Sequence, residues 1–116
     1  MRRGDVHIVD FEPALGSEAN DRRPAVIVSN DASNTAVERF RRGVVTVVPL
    51  TSNIARVFPF HVLLPASRTG LPRDSKAQAE QLRAVDVGRI GDRVGLVPYA
   101  LLSKLDEAIR IHLDLG

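Results

Sequence analysis

The sequence predicts a small, mostly β domain of the α+β class that ends in a single helix. Two Val-rich runs, Pro24 to Ser29 and Gly43 to Leu50, have the length and apolar character of buried strands. Turn-forming Gly, Pro, Asn and Asp residues divide the rest of the chain into further short runs, about six or seven strands in all. Because so many short strands share one small core, we expect a strongly bent barrel.

Length and composition limit the possible classes of protein. A chain of 116 residues with 44% hydrophobic content predicts one domain, residues 1–116, with a core that needs no covalent staples. The chain has no cysteine, which excludes disulfides and thiolate metal sites. Its basic start, Met1 to Asp5, precedes no apolar signal core, and no run approaches the length of a membrane span. We therefore expect a cytoplasmic protein with no membrane partner.

Arginine dominates the basic residues and supplies fourteen of the sixteen lysines and arginines. A guanidinium binds phosphate through two parallel hydrogen bonds and lies flat on a base, so this composition suits a nucleic-acid partner. A genome rich in G and C would, however, favour arginine over lysine in any protein. The charge therefore permits RNA binding without establishing it.

The start of the chain combines a strand with a long loop. Asp5 to Phe11 alternates around Val6, Ile8 and Phe11, as a strand with one wet face does, and places His7 on the polar side as a surface or hydrogen-bonded residue. Glu12 to Arg22 lacks periodicity, and its length for a link between strands indicates a functional loop. Since proline is tolerated at the first position of a strand, Arg23 is expected just before the strand that Pro24 begins.

Two later segments are ambiguous. Asp31 to Arg42 begins with turn and capping residues and fits either a short helix or an irregular excursion. Asp74 to Val85 alternates only in part, and its propensities fit a helix as well as a strand. Between these segments, a loop from Ile54 to Phe60 precedes a predicted strand from His61 to Leu64, in which His61 is interpreted as structural.

The end of the chain predicts a strand, Arg93 to Val97, and then a helix with Pro98 in its first turn. Asp106 lies four residues before Arg110 on a polar face, a spacing that allows an ion pair. His112 lies on the apolar side, which predicts a histidine in the core or in an interface. The apolar stripe consists of Leu101, Leu102, Leu105, Ala108, Ile109, His112 and Leu113. We expect this helix to be scaffold.

Several short motifs carry a family resemblance. They are R-R-P-A-V-I-V-S-N-D (Arg22 to Asp31), V-V-P-L-T-S-N (Val47 to Asn53), Arg3 to Val6, Gly16 to Glu18, and Asp74 to Gln81. Together they resemble the MazF and PemK toxins, and the resemblance covers nearly the whole chain. It implies an SH3-like barrel that forms a homodimer, and it favours a strand at Asp74 to Val85.

The resemblance also implies an activity, that of a metal-independent, sequence-selective endoribonuclease, the toxic half of a toxin-antitoxin pair. Its partners would be single-stranded RNA and an antitoxin whose acidic, partly disordered tail occupies the basic groove. Without a metal, such an enzyme directs the ribose 2′-OH at its own phosphate and leaves a 2′,3′-cyclic phosphate and a 5′-OH. No cofactor is expected, because the three histidines are far apart and the acidic residues are scattered.

The resemblance assigns catalysis to Arg23 and Thr51. Arg23 would bind the non-bridging phosphate oxygens and offset the charge that grows in the transition state, while the Thr51 hydroxyl would donate a hydrogen bond to the same phosphate. A guanidinium stays protonated and makes a poor general base, so the acceptor of the 2′-OH proton is left unassigned. Without the resemblance, these residues fit an ordinary surface arginine and a hydroxyl in a turn.

Further residues are candidates for RNA binding. Glu18 and Arg22 belong to a loop able to close over substrate, and the basic and aromatic loop after Thr51 suits base stacking, although Phe60 fits the core better. The side chains of Glu80 and Gln81, in the last motif, suit hydrogen bonds to base edges, but the two residues fit solvated strand positions equally well. The candidates are Glu18, Arg22, Ser52, Arg56, Phe58, Glu80 and Gln81.

Two other functions are compatible with this fold. One is a gyrase-directed toxin like CcdB, which binds a protein and cuts no RNA. That family works through a Trp near its C-terminus, whereas this chain has no Trp and ends in Leu113 to Gly116. The other is a non-catalytic RNA-binding barrel.

Overall fold

Seven strands form the body of the protein. The computed structural model describes every residue from Met1 to Gly116. The strands are β1 (Asp5–Asp10), β2 (Arg22–Ile27), β3 (Val44–Thr51), β4 (His61–Leu64), β5 (Ser75–Gln78), β6 (Arg83–Asp86) and β7 (Ile90–Leu96). All pairs are antiparallel, in the order β4-β5-β3-β2-β1-β7, and β6 also pairs with β3. The mostly β architecture of the α+β class is confirmed.

The sheet is arranged around β3, because both edges of this strand are paired. One edge pairs with β2, where Val48 lies opposite Val26. The other edge pairs with β6 over Val44 to Val47 and with β5 at Leu50 and Thr51. The Val-rich sequence suits this position, since β-branched side chains pack well on a pleated surface. Thr51 is the last residue of the strand.

Two apolar clusters lie on opposite faces of the sheet. On β2, Val26 belongs to one cluster, and its neighbours Ala25 and Ile27 belong to the other. The C-terminal helix, α3 (Tyr99–Leu113), packs on the first cluster, and Phe11 lies in the second. Because successive side chains of a strand point to opposite faces, burial on both faces explains why β2 and β3 are continuous apolar runs.

The segment predicted as one strand, Asp74 to Val85, is broken in the middle. Residues Ala79–Gln81 form a short 3-10 helix between β5 and β6. This break lies across from Pro49 of β3, which has no N–H to offer a neighbouring strand. The N–H of Ala79 donates instead to the carbonyl of Phe60 (3.1 Å). The prediction of one continuous strand is therefore wrong.

The starts of β1 and β2 also differ from the prediction. Val6, Val9 and Phe11 are fully buried, so the expected alternation through Ile8 is interrupted. The pairing of β1 with β7 shifts register twice, and such irregularities change the direction of the side chains that follow. Arg23 lies within β2, opposite Val9, and not just before the strand.

Three α-helices complete the fold, together with a second 3-10 helix, Val87–Arg89, between β6 and β7. The ambiguous segment after β2 forms a helix, α1 (Asp31–Phe40), and the side chain of Asn30 caps it by accepting a hydrogen bond from the N–H of Ser33 (2.8 Å). A single helical turn, α2 (Ala66–Thr69), lies between β4 and β5. The third helix, α3, has 15 residues. No helix combines the length and the apolar character that crossing a bilayer requires.

The last turn of α3 departs from the predicted stripe. The buried residues of the helix are Leu101, Leu105 and Ala108. His112 is exposed, as is every residue from Arg110 onward, so a position for His112 in the core of this chain is wrong. The predicted pair between Asp106 and Arg110 does not form either. Asp106 pairs with Arg3, and Arg110 pairs with Glu107 (3.3 Å).

Candidate active site

A cavity of about 320 Å³ opens where the start of β2 meets the end of β3. The two strand ends adjoin because the strands are antiparallel, with Ala25 opposite Pro49. A third segment, which links α2 to β5, closes the side of the cavity. The lining residues are Asp21, Arg22, Arg23, Pro24, Leu50, Thr51, Ser52, Leu71, Pro72, Arg73 and Ser75.

Three arginines at this cavity have no carboxylate partner. Arg22, Arg23 and Arg73 take part in none of the ion pairs of the structure, and Asp21 is the one acidic residue that lines the cavity. Guanidinium groups that are not neutralised by carboxylates bind phosphate well. Nowhere in the structure is a group of three or more His, Asp or Glu side chains placed to hold a metal ion. The cavity is therefore suited to an anionic ligand.

Arg23 is half-buried and is held on one side only. Its Nε donates to the backbone carbonyl of Asn20 (2.8 Å), and its Nη2 donates to the side-chain oxygen of the same residue (2.6 Å). A guanidinium has five N–H donors, so these two bonds leave three for a ligand. The strand fixes the backbone of Arg23, and Asn20 fixes the plane of its side chain.

Thr51 lines the same cavity. Its Oγ1 accepts a hydrogen bond from the N–H of Asn53 (3.2 Å), which leaves the hydroxyl proton available. A phosphate oxygen can accept that proton in a hydrogen bond. Ser52, the next residue, is exposed and adds a second hydroxyl to the lining.

The predicted site residues divide into two groups. The structure brings together the two predicted catalytic residues, Arg23 and Thr51, and two of the predicted RNA-binding residues, Arg22 and Ser52. The remaining predicted residues, which do not line the cavity, are Glu18, Arg56, Phe58, Glu80 and Gln81. Their roles in RNA binding remain predictions.

Glu18 and Gln81 both contact the loop between β1 and β2. The Gln81 side chain accepts a hydrogen bond from the N–H of Ala19 (3.0 Å) and donates one to the carbonyl of Ser17 (2.9 Å). The Glu18 carboxylate accepts from the N–H of Leu15 (2.7 Å). Both ends of the Gln81 amide are therefore engaged with the protein, and a contact with a base edge requires this arrangement to open.

Glu80 pairs with His61 beside an aromatic group. His61 Nδ1 accepts from the N–H of Phe58 (3.1 Å), so Nε2 carries the proton that is donated to the Glu80 carboxylate (2.8 Å). The Phe58 ring is 45% exposed and stacks on Phe60, with 5.5 Å between centroids. Phe60 is half-buried and belongs to neither apolar cluster, so its predicted place in the core is wrong. The exposed Phe58 ring remains available for stacking.

Arg56 is exposed, and its backbone is tethered to the sheet. The side chain of Lys76, a buried residue of β5, donates from Nζ to the Arg56 carbonyl (2.6 Å). The tether holds the loop between β3 and β4 against the sheet and leaves the Arg56 guanidinium in solvent.

Sequence reasoning misses two residues of the site, Arg73 and Asn20. The sole sequence signal for Arg73 is its position directly before the motif that starts at Asp74. Nothing in the sequence separates Asn20 from the other turn-forming residues of its loop. Its contact with Arg23 depends on the path of the loop, which no local pattern predicts.

The fold and the motifs agree with those of known toxins. The model of PemK-like, MazF-like toxins of type II toxin-antitoxin systems matches residues 2–113. The chain is 57% identical over 115 residues to the endoribonuclease MazF9 of Mycobacterium tuberculosis, and the match covers 99% of this chain and 98% of the relative. This agreement confirms the resemblance carried by the motifs.

Solved structures show the same relationship. The crystal structure of MazF from Deinococcus radiodurans has a TM-score of 0.82 and 26% identity, over 99% of this chain and 97% of that one. A mycobacterial endoribonuclease in complex with its cognate antitoxin has a TM-score of 0.78 and 26% identity, over 100% and 97% of the two chains. With its sequence and its fold in agreement, the chain belongs to the family of PemK-like, MazF-like toxins of type II toxin-antitoxin systems.

Proposed function

We propose that this toxin, an endoribonuclease of the MazF and PemK type, cuts single-stranded RNA at the arginine-lined cavity. The observation that supports this site is that three arginines without carboxylate partners line one cavity together with Thr51 and Ser52, the Arg22 guanidinium extending toward Gly91 of β7. The RNA backbone carries the phosphates that such groups bind. Sequence-selective cleavage of RNA in the cytoplasm would stop translation and growth.

The proposed reaction is attack of a ribose 2′-OH on the adjacent phosphate, with a 2′,3′-cyclic phosphate and a 5′-OH as products. Negative charge accumulates on the non-bridging oxygens as the 2′ oxygen approaches phosphorus. The three free N–H donors of Arg23 bind those oxygens, and the hydroxyl of Thr51 donates to the same phosphate. Arg22 and Arg73 attract the RNA and bind neighbouring phosphates.

Incubation of the purified protein with a long single-stranded RNA and EDTA tests the proposed function. We expect discrete fragments that end in a 2′,3′-cyclic phosphate, because no step of the proposed reaction needs a metal ion. A retarded but uncut RNA would instead indicate a non-catalytic RNA-binding barrel. In a parallel reaction with DNA gyrase, trapped gyrase would indicate a toxin like CcdB. Membership of the MazF and PemK family favours the nuclease.

We also propose that an acidic, partly disordered tail of a cognate antitoxin covers the cavity. Arg22, Arg23 and Arg73 supply positive charge that such a tail would neutralise. The mycobacterial endoribonuclease with a similar fold is described in complex with its antitoxin. Because the tail and the RNA would compete for one cavity, saturating antitoxin should leave the RNA intact in the reaction above, and unchanged cleavage would contradict the competition.

A homodimer is proposed as the active form. A domain this small gains RNA-binding surface by pairing, and it exposes large apolar side chains such as Leu63 and Ile111. Light scattering at micromolar concentration should therefore give twice the mass of one 12.7 kDa chain. A monomeric mass under these conditions would overturn the proposal.

A further inference from the structure

The loop between β1 and β2, residues 11–21, is held firmly just before Asn20. Gln81 binds it twice, at the N–H of Ala19 (3.0 Å) and at the carbonyl of Ser17 (2.9 Å). Ala19 is 6% exposed and packs in one of the two apolar clusters. An exposed loop with such anchors has a defined path, so the position of the next residue, Asn20, is defined as well.

Asp21 then turns the chain into β2. Its φ of 61° lies in the left-handed region, which Asp tolerates better than most residues. The carboxylate of Glu12 accepts a hydrogen bond from the N–H of Asp21 (2.7 Å) and holds the turn. The two oxygens of Asn20 thus face the side chain of Arg23, three residues later.

Asn20 binds Arg23 as a fork. Its backbone carbonyl accepts from Nε at 2.8 Å, and its side-chain oxygen accepts from Nη2 at 2.6 Å. Two bonds from one residue restrict both the position and the plane of a guanidinium, which otherwise samples many rotamers. The Nη1 donors and the second Nη2 donor stay free at the cavity.

We infer that Asn20 is a positioning residue for Arg23, which aims the free donors of the guanidinium at the scissile phosphate before RNA binds. The inference rests on the catalytic role proposed for Arg23. Orientation in advance matters because an interaction that is slightly misplaced in the transition state loses much of its effect on the rate. Asn20 itself does not need to touch the RNA.

The neutrality of the Asn20 side chain also matters for the positioning of Arg23. Both of its contacts use uncharged oxygens, so Arg23 is oriented while its positive charge is left for the phosphate. An aspartate at position 20 would retain both acceptors, but its carboxylate would form an ion pair with the guanidinium. Position 20 therefore needs an acceptor that is also neutral.

The test compares full-length variants on a single-stranded RNA oligonucleotide that contains one site cut by the wild-type protein. Asn20→Ala should lower kcat by about 10- to 100-fold with little change in KM, because it removes the bond to Nη2 and keeps only the backbone bond to Nε, which leaves the plane of the guanidinium unfixed while the RNA-binding surface is kept. Asn20→Asp should lower kcat and also raise KM, because its carboxylate offsets the charge that attracts phosphate. Leu15→Ala, in the same loop, removes a side chain that is 78% exposed and should behave as wild type.

A second comparison separates positioning from a general structural role. In an Arg23→Lys background, Asn20→Ala should cause little further loss, because the guanidinium that it positions is already absent. A folded Asn20→Ala protein with wild-type kcat, or a full additional loss in the Arg23→Lys background, would overturn the inference. If Arg23→Ala itself cleaves normally, the proposed active site fails, whereas an inactive Arg23→Ala beside a fully active Asn20→Ala defeats the positioning role alone.

Discussion

Arg23→Ala is expected to reduce RNA cleavage below detection in a multiple-turnover assay while weakening RNA binding only modestly. In the bound ground state, Arg23 is one of three unpaired arginines at the cavity, so its loss leaves most of the phosphate contacts in place. In the transition state of the proposed reaction it faces the oxygens on which charge accumulates, and arginines in that role contribute about 10³-fold or more to the rate. Single-turnover cleavage and a gel-shift titration of the same RNA measure the two effects.

Arg23→Lys is the matched variant, since it keeps the charge and removes the fork. We expect it to restore little activity. A lysine ammonium is a single point of charge, so it cannot donate two hydrogen bonds to Asn20 and also bind two phosphate oxygens in one plane. Circular dichroism must first show that both variants are folded. Undiminished cleavage by folded Arg23→Ala would refute the assignment of the active site and leave the fold unaffected.

Thr51→Ala should have the second-largest effect, a loss of about 10²- to 10³-fold in kcat, typical of removing one donor to a developing oxyanion. Thr51→Ser should keep appreciable activity, because the hydroxyl and not the methyl group is proposed to act. Both variants keep β3 intact, since the side chain is half-buried at the end of the strand. Equal losses in Thr51→Ala and Thr51→Ser would show that the hydroxyl is not the acting group.

The Arg23→Ala, Thr51→Ala double variant tests whether the two residues act together on the same phosphate. If both stabilise the same phosphate, the double variant should be little slower than Arg23→Ala alone. A detection limit well below the rate of each single variant is therefore essential, and a single-turnover assay with labelled RNA supplies it. Fully multiplicative losses would indicate that the two residues act independently of each other.

The main features of the fold can be predicted from local pattern, because the Val-rich runs of β2 and β3 are buried on both faces and therefore stand out as continuous apolar runs. The break at Ala79–Gln81 cannot be predicted from local pattern. It depends on which residues of β3 lie across from it, Pro49 among them, and that pairing joins distant parts of the chain. Propensity within the segment fits a strand and a helix equally well.

The part of the candidate site that lies at strand ends can likewise be predicted from the sequence. Arg22, Arg23, Thr51 and Ser52 lie at the ends of two long apolar runs, and antiparallel pairing brings those ends to one cavity. Arg73 reaches the same cavity from a later segment, so its place follows from tertiary structure alone. The resemblance, in turn, supplied the roles of Arg23 and Thr51, which the residues by themselves did not distinguish from surface positions.

Because β3 is paired on both edges, the two parts of the proposed active site differ in the free energy of local opening. Thr51 is the last residue of β3, a strand whose ladders join it to three other strands, so the body of that strand opens only with global unfolding. The loop between β1 and β2 is exposed along most of its length and is anchored by a few side-chain hydrogen bonds, so it should open locally at a lower free energy. On the positioning role inferred for Asn20, the toxin can lose the orientation of its guanidinium while it stays folded, and a partner that draws the loop outward would slow cleavage without denaturing the protein.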